Sequence, residues 1–197
     1  MQFQIVNVLD AIARLPEALL QGLLASFSCP QNVSIEHFLR HHAISCAKQR
    51  FAITYLIFNG EKEIAGFFTL AHKPMFVDQK NLDGKYRRRV KQFCRQPSSQ
   101  FFPNSEERLL ISTFLIAQLA KNAVELVGET VSGTQLLDFA WGIFENVQKA
   151  IGGGVISLEC ENQPKLLEFY QKYGFRKFGE RISEATGEFY HQLLQVF

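Results

Sequence analysis

Apolar and polar positions alternate from Phe3 to Val8, which predicts a first strand. From Leu9 to Ser26 the spacing becomes helical, carried by Leu15, Leu19, Leu20, Leu23 and Leu24, with Pro16 suited to a first turn. Pro30-Gln31-Asn32 breaks the chain, and Ser34 opens a second helix to about Lys48 on Phe38, Ala43, Ile44 and Ala47. The period then shortens. Phe51 to Phe58 and Ile64 to Leu70 are β-rich runs separated by Asn59-Gly60-Glu61-Lys62-Glu63, and Asn-Gly between such runs signals a hairpin.

Leu109 to Leu119 reads as a fully buried strand. Ser132-Gly133-Thr134-Gln135 fits a capping box ahead of one apolar stripe: Leu136, Phe139, Ala140, Ile143, Val147 and Ala150. Gly152 to Gly154 stops that helix. Val155 to Cys160 is a strand, Gln163 to Lys172 a short helix initiated at Asn162, and Phe175 to Phe178 and Glu188 to Val196 two last strands. The order of elements is that of an α/β or α+β chain with one sheet covered by helices.

The 197 residues fit a single domain, 1–197, with a basic insertion at about 73–107 and a short helix around Tyr86 to Phe93. A chain 47% hydrophobic and 20% charged is expected to be soluble and globular, and nineteen Phe suggest a core or groove filled by flat side chains. Cys29, Cys46, Cys94 and Cys160 are scattered without a close pair, so neither a disulfide framework nor a zinc site is implied, and a reducing cytoplasm is the simplest setting. The N-terminus lacks the basic start of a signal peptide, and the longest apolar stretch, Leu109 to Ala120, is too short and polar to span a bilayer. His37 and His41 have the helical spacing of a metal pair but no third ligand, so no metal is expected. Lys73 to Arg95 carries eight basic residues against Asp78 and Asp83, far above the net charge of +2 for the whole chain. Arg87, Arg88 and Arg89 beside Tyr86 and Phe93 make either a solvated helix face or a basic–aromatic patch of the kind that contacts phosphates, of RNA or of a phosphorylated cofactor.

The block Val155 to Phe175 is the most specific. A buried strand, Asn162, Phe169-Tyr170 and Gly174-Phe175 after three further residues together resemble the GNAT acetyltransferases over roughly residues 51–197. The resemblance implies the GNAT fold, with one mixed, mostly antiparallel sheet flanked by helices. It also implies acetyl-CoA as co-substrate and direct transfer to a primary amine. On this pattern Asn162 hydrogen-bonds the pantetheine arm, Phe169 lies against it, and Tyr170 protonates the departing thiolate. Leu115, Ile116 and Gln118 stand where the family's strand offers backbone groups to pantetheine. Ser132, Gly133 and Thr134 stand where backbone amides cradle the pyrophosphate at a helix N-terminus, with Lys121 or Asn122 assisting.

The pyrophosphate loop departs from the family pattern. Gly133 matches its last position, but Val131 occupies its first glycine and Gly128 its Gln/Arg. That departure keeps a second class open: a GNAT-fold module that binds CoA, protein or RNA without catalysis. The general base is unassigned, with Glu63, Glu107 and Glu159 as candidates. Some bacterial GNAT toxins acetylate aminoacyl-tRNA, and the basic segment makes that acceptor one expectation. The sequence leaves a homodimer open.

Overall fold

Local chemistry divides the expected helices. In the computed structural model, which describes residues 3–94, 108–126, 128–184 and 186–197, strand β1 (Gln4–Asn7) runs straight into helix α1 (Val8–Arg14). The single helix expected over Leu9 to Ser26 is two. A proline disfavours helical backbone at the residue before it, so Leu15 is extended (φ −119°, ψ 144°) and α2 (Glu17–Ala25) begins afresh after Pro16. The second helix is also two, α3 (Val33–His41) and α4 (Ala43–Lys48). Asn32 caps it instead of Ser34, accepting from the Ile35 amide at 3.0 Å. At the junction the His42 carbonyl accepts from both the Ser45 hydroxyl and the Cys46 amide, each at 2.9 Å.

Strands β2 (Ile53–Phe58) and β3 (Ile64–Asp78) pair as expected, but not through a two-residue turn. The positive φ falls on Lys62 (62°) rather than on Gly60. The Asn59 side chain organises the loop instead, accepting from the Glu61 and Glu63 amides at 3.1 and 2.9 Å. β3 continues well past Leu70, so Lys73 is a strand residue and not part of an excursion. A tight turn at Gln79–Asn81 leads to α5 (Gly84–Lys91), whose N-cap Asp83 accepts from the Tyr86 amide at 2.8 Å. The turn-rich stretches expected at Gln96 to Gln100 and Pro103 to Ser105, and the candidate Glu107, lie outside the described residues.

The remaining elements are β4 (Arg108–Lys121), α6 (Gly133–Ile151), β5 (Val155–Glu161), α7 (Pro164–Tyr173), β6 (Arg176–Ile182) and β7 (Phe189–Val196). The seven strands form one sheet in the order β1-β2-β3-β4-β5-β7-β6. The ladders β1–β2, β2–β3, β5–β7 and β6–β7 are antiparallel. β4 is not buried throughout as expected. Arg108, Ser112, Ala117 and Lys121 are exposed between buried residues.

The chain forms two compact units, 1–71 with 116–143 and 72–115 with 144–197. In the first, Phe27 and Phe67 meet edge to face at 5.1 Å in a core with Leu20, Leu24, Leu39 and Leu56. In the second, Val77, Tyr86, Val90, Val155, Phe178 and Leu194 pack together. There α5 also closes an exposed strand edge. β6 begins at Arg176, opposite Leu194, so past Leu194 β7 has no β6 partner. The Tyr86 hydroxyl takes its place, donating to the Leu194 carbonyl and accepting from the Val196 amide, both at 3.1 Å. Arg89 donates to the carbonyls of Val196 and Phe197 at 3.1 and 2.8 Å. Among the described residues no helix is long and apolar enough to cross a membrane.

Candidate functional site

In the first unit the N-terminus of α6 holds the predicted capping box in reciprocal form. The Gln135 amide donates to Ser132 Oγ at 3.2 Å, and the Ser132 amide donates to Gln135 Oε1 at 2.9 Å. The expected cradle of amides from Val131 to Gln135 is therefore narrower. The amides of Ser132 and Gln135 are used, and those of Gly133 and Thr134 have no acceptor among the described residues. They lie in the first turn of a nineteen-residue helix, where unpaired N–H groups and the helix dipole favour an anion. This donor set fits a phosphate group.

The departures from the family pattern have structural causes. Val131 is buried, and a Cβ on Gly66 would come within 2.8 Å of its Cγ1 and of the Ala120 carbonyl. Gly128 donates its amide to Glu63 Oε2 at 3.2 Å and presses on the hairpin, where a Cβ would meet Asn59 Nδ2 at 2.6 Å. Both positions serve packing. Asn122 is spent as well. Its Oδ1 accepts from the Ser28 and Val124 amides at 3.0 and 3.2 Å, and its Nδ2 donates to the Ile64 carbonyl at 2.8 Å. Ile116 is buried on β4 and Gln118 is half-buried.

In the second unit, Leu115 is half-buried on β4, and Thr113 Oγ1 donates to the Lys73 carbonyl at 2.9 Å and meets Ser157 Oγ at 2.7 Å. Gly174 ends α7 in the left-handed region (φ 116°), with the Phe175 amide donating back to the Tyr170 carbonyl at 3.0 Å. Tyr170, only 7% exposed, therefore sits on the last turns of a firmly stopped helix, edge-on to Phe169 at 5.1 Å and to Phe175 at 5.9 Å. No hydrogen bond engages its hydroxyl among the described residues. Burial, and then the neighbouring Cys160, push the phenol well above its ordinary value, so it holds its proton throughout the neutral range. Burial and the Glu161 carboxylate push the Cys160 thiol up to about 11, which makes Cys160 a poor nucleophile.

Asn162 does not cap α7. Gln163 stands at the N-cap without a side-chain capping bond and Pro164 starts the helix, while Asn162 Oδ1 is engaged at 3.0 Å by Nε2 of the buried His191. No motif in the sequence marks His191. Its signal was a polar residue two positions before the buried Leu193 on the alternating last strand.

The two candidate bases among the described residues are occupied. Glu63 accepts from Asn59 Nδ2 at 2.8 Å as well as from Gly128. Glu159 accepts from Arg181 at 2.7 and 3.0 Å and from Gln192 at 3.0 Å. Burial raises its carboxyl, but those bonds and the Lys73 charge outweigh burial and hold it below the usual carboxylate value. Of the arginines, Arg87 donates to the Leu82 carbonyl at 3.1 Å, Arg89 is bound to β7, and Arg88 is exposed. Among the described residues no group of three or more His, Cys, Asp or Glu is placed to hold a metal ion. His37 and His41 are in ring contact at 4.5 Å on an exposed helix face.

This seven-stranded sheet with its flanking helices is the GNAT acyltransferase fold. No family model matches the sequence, and no curated protein matches it by sequence. Solved structures do match in fold. AtaT complexed with acetyl-methionyl-tRNAfMet is 18% identical with a TM-score of 0.62, over 96% of this chain and 94% of AtaT. A tyrosine-to-phenylalanine mutant of KacT is 17% identical with a TM-score of 0.61, over 98% and 95%. A structure described as a bacterial toxin is 14% identical with a TM-score of 0.64, over 99% and 90%.

Proposed function

We propose that the chain is an acetyl-CoA-dependent N-acetyltransferase of a bacterial cytoplasm that moves an acetyl group directly to a primary amine. The observation that carries this reading is Tyr170. It is a buried phenol with an uncommitted hydroxyl, at the position the family motif gives to the proton donor. Acetyl-CoA supplies the thioester that the amine attacks. Tyr170 holds a proton through the neutral range and gives it to the thiolate as the C–S bond breaks, and the proton that the amine sheds on becoming an amide passes to solvent, from which the phenolate is reprotonated. Phe169 walls the sulfur side, and Asn162 and the backbone of Leu115, Ile116 and Gln118 meet the pantetheine amides. Gly133 and Thr134, presented by the Ser132 capping box, bind pyrophosphate.

The acceptor we favour is the amine of an aminoacyl-tRNA. Support comes from the fold match to AtaT, which was solved with acetyl-methionyl-tRNAfMet, and from the exposed Arg88 with its basic neighbours Lys85 and Lys91. The second reading, a CoA-binding or interaction module without catalysis, draws on the spent amides at Ser132, Gln135 and Gly128. Mixing the protein with acetyl-CoA and a panel of amines, peptides and aminoacyl-tRNAs, and following free thiol, separates the two. Thiol release that depends on an acceptor is expected. Tight CoA binding with no release across the panel would establish the module instead.

A further inference from the structure

His191 is an ionisable side chain buried on a sheet face where its strand neighbours are apolar, and its partners account for its presence. It stands directly opposite Cys160 on β5 and Glu180 on β6. Its Nε2 lies 3.0 Å from Asn162 Oδ1. An amide oxygen only accepts, so Nε2 carries the proton and the neutral tautomer has its lone pair on Nδ1. That nitrogen is buried without a hydrogen-bond partner among the described residues, 3.9 Å from Glu180 Oε1. Phe189 packs edge-on against the ring at 5.2 Å. The imidazole is therefore held on several sides and makes one hydrogen bond, to Asn162.

We propose that His191 is the positioning residue for Asn162, fixing its amide so that the Nδ2 donors face outward to an amide carbonyl of the pantetheine arm. This rests on the acetyl-CoA reading. Asn162 itself is exposed and follows the end of β5, with no helix to order its side chain, because the α7 cap is Gln163 and Pro164. An unrestrained asparagine offers its carbonyl and its amide to the outside about equally. The bond to His191 removes that choice by consuming Oδ1, and a rigid donor binds a carbonyl at lower entropic cost than a free one. The same latch anchors the junction from which α7 carries Tyr170, whose neighbour Cys160 is the strand partner of His191.

The test is a double-mutant cycle read by calorimetric dissociation constants for CoA and for ADP, which lacks a pantetheine arm. Asn162→Ala and His191→Ala are each expected to weaken CoA by about fivefold, the loss of roughly one hydrogen bond. The double variant should be no weaker than either single one. ADP affinity should be unchanged, and His191→Gln, whose amide can still donate to Asn162, should stay within about twofold of wild type. His191→Leu fills the space without a donor and gives the same reading if the alanine variant loses its fold. Additive losses, an unchanged CoA affinity in folded His191 variants, or a parallel fall in ADP affinity would each overturn the positioning role. Absence of CoA binding by the wild-type protein would instead remove the acetyl-CoA reading, and this inference with it.

Discussion

Tyr170→Phe separates chemistry from stability, because no hydrogen bond engages the hydroxyl it removes among the described residues. Loss of a positioned general acid costs about 10²- to 10⁴-fold in rate. Unperturbed thiols and phenols differ by about two units, so a phenol is close enough in acidity to protonate a leaving thiolate. Removing a hydroxyl that makes no hydrogen bond costs none and leaves a more apolar ring, so stability should hold or rise by about 0–1 kcal/mol. Steady-state thiol release should therefore show kcat reduced at least tenfold with the acetyl-CoA dissociation constant within about twofold, while urea unfolding shows an equal or higher midpoint. Wild-type turnover in the folded variant would exclude Tyr170 from proton transfer. A stability loss above about 1 kcal/mol would show instead that the hydroxyl is a structural bond.

Other outcomes follow from the same geometry. Tyr86→Phe leaves the buried Leu194 carbonyl and Val196 amide without their shared partner and should cost about 2–4 kcal/mol in urea unfolding; a loss under about 1 kcal/mol would mean that water replaces the phenol. Gly133→Asp places a carboxylate at the first turn of α6 and should abolish CoA binding, so unchanged affinity would sink the pyrophosphate assignment. Arg88→Ala should lower the salt slope of tRNA binding by about one without changing stability, whereas Arg89→Ala should lower stability through the lost bonds to Val196 and Phe197; a flat salt response in the wild type would count against an RNA acceptor. Stability should fall as pH rises from about 9 towards 12. Burial lifts Cys160 from 9.0 to about 11 and Tyr86 from 10.0 to about 12, so the fold favours their protonated forms and the unfolded chain releases those protons first. A urea midpoint constant between pH 8 and 11 would contradict both shifts.

The capping box, the glycine stop of α6 and the Gly174 end of α7 were legible because each is a local event within four or five residues. The breaks at Pro16 and His42 were harder to place, since the hydrophobic spacing runs on through both. Asn162 shows the limit most clearly. Its position before a helix reads as a cap, yet a bond to His191, twenty-nine residues away in sequence, takes its oxygen first. Glu63 and Glu159 offered themselves as bases on charge alone, and their long-range partners consume them.

Periodicity and short motifs thus determined the order of strands and helices, the GNAT resemblance and the candidate Tyr170, because these rest on contacts between near neighbours. Tertiary structure decided which polar groups are left over. Whether an amide, a carboxylate or a guanidinium is free for a ligand depends on every partner the fold brings to it. For Arg89 and Tyr86, that partner is the bare edge of β7 more than a hundred residues along the chain. A basic helix whose sequence suggests a solvated face or a phosphate contact is therefore, in large part, the closure of a sheet.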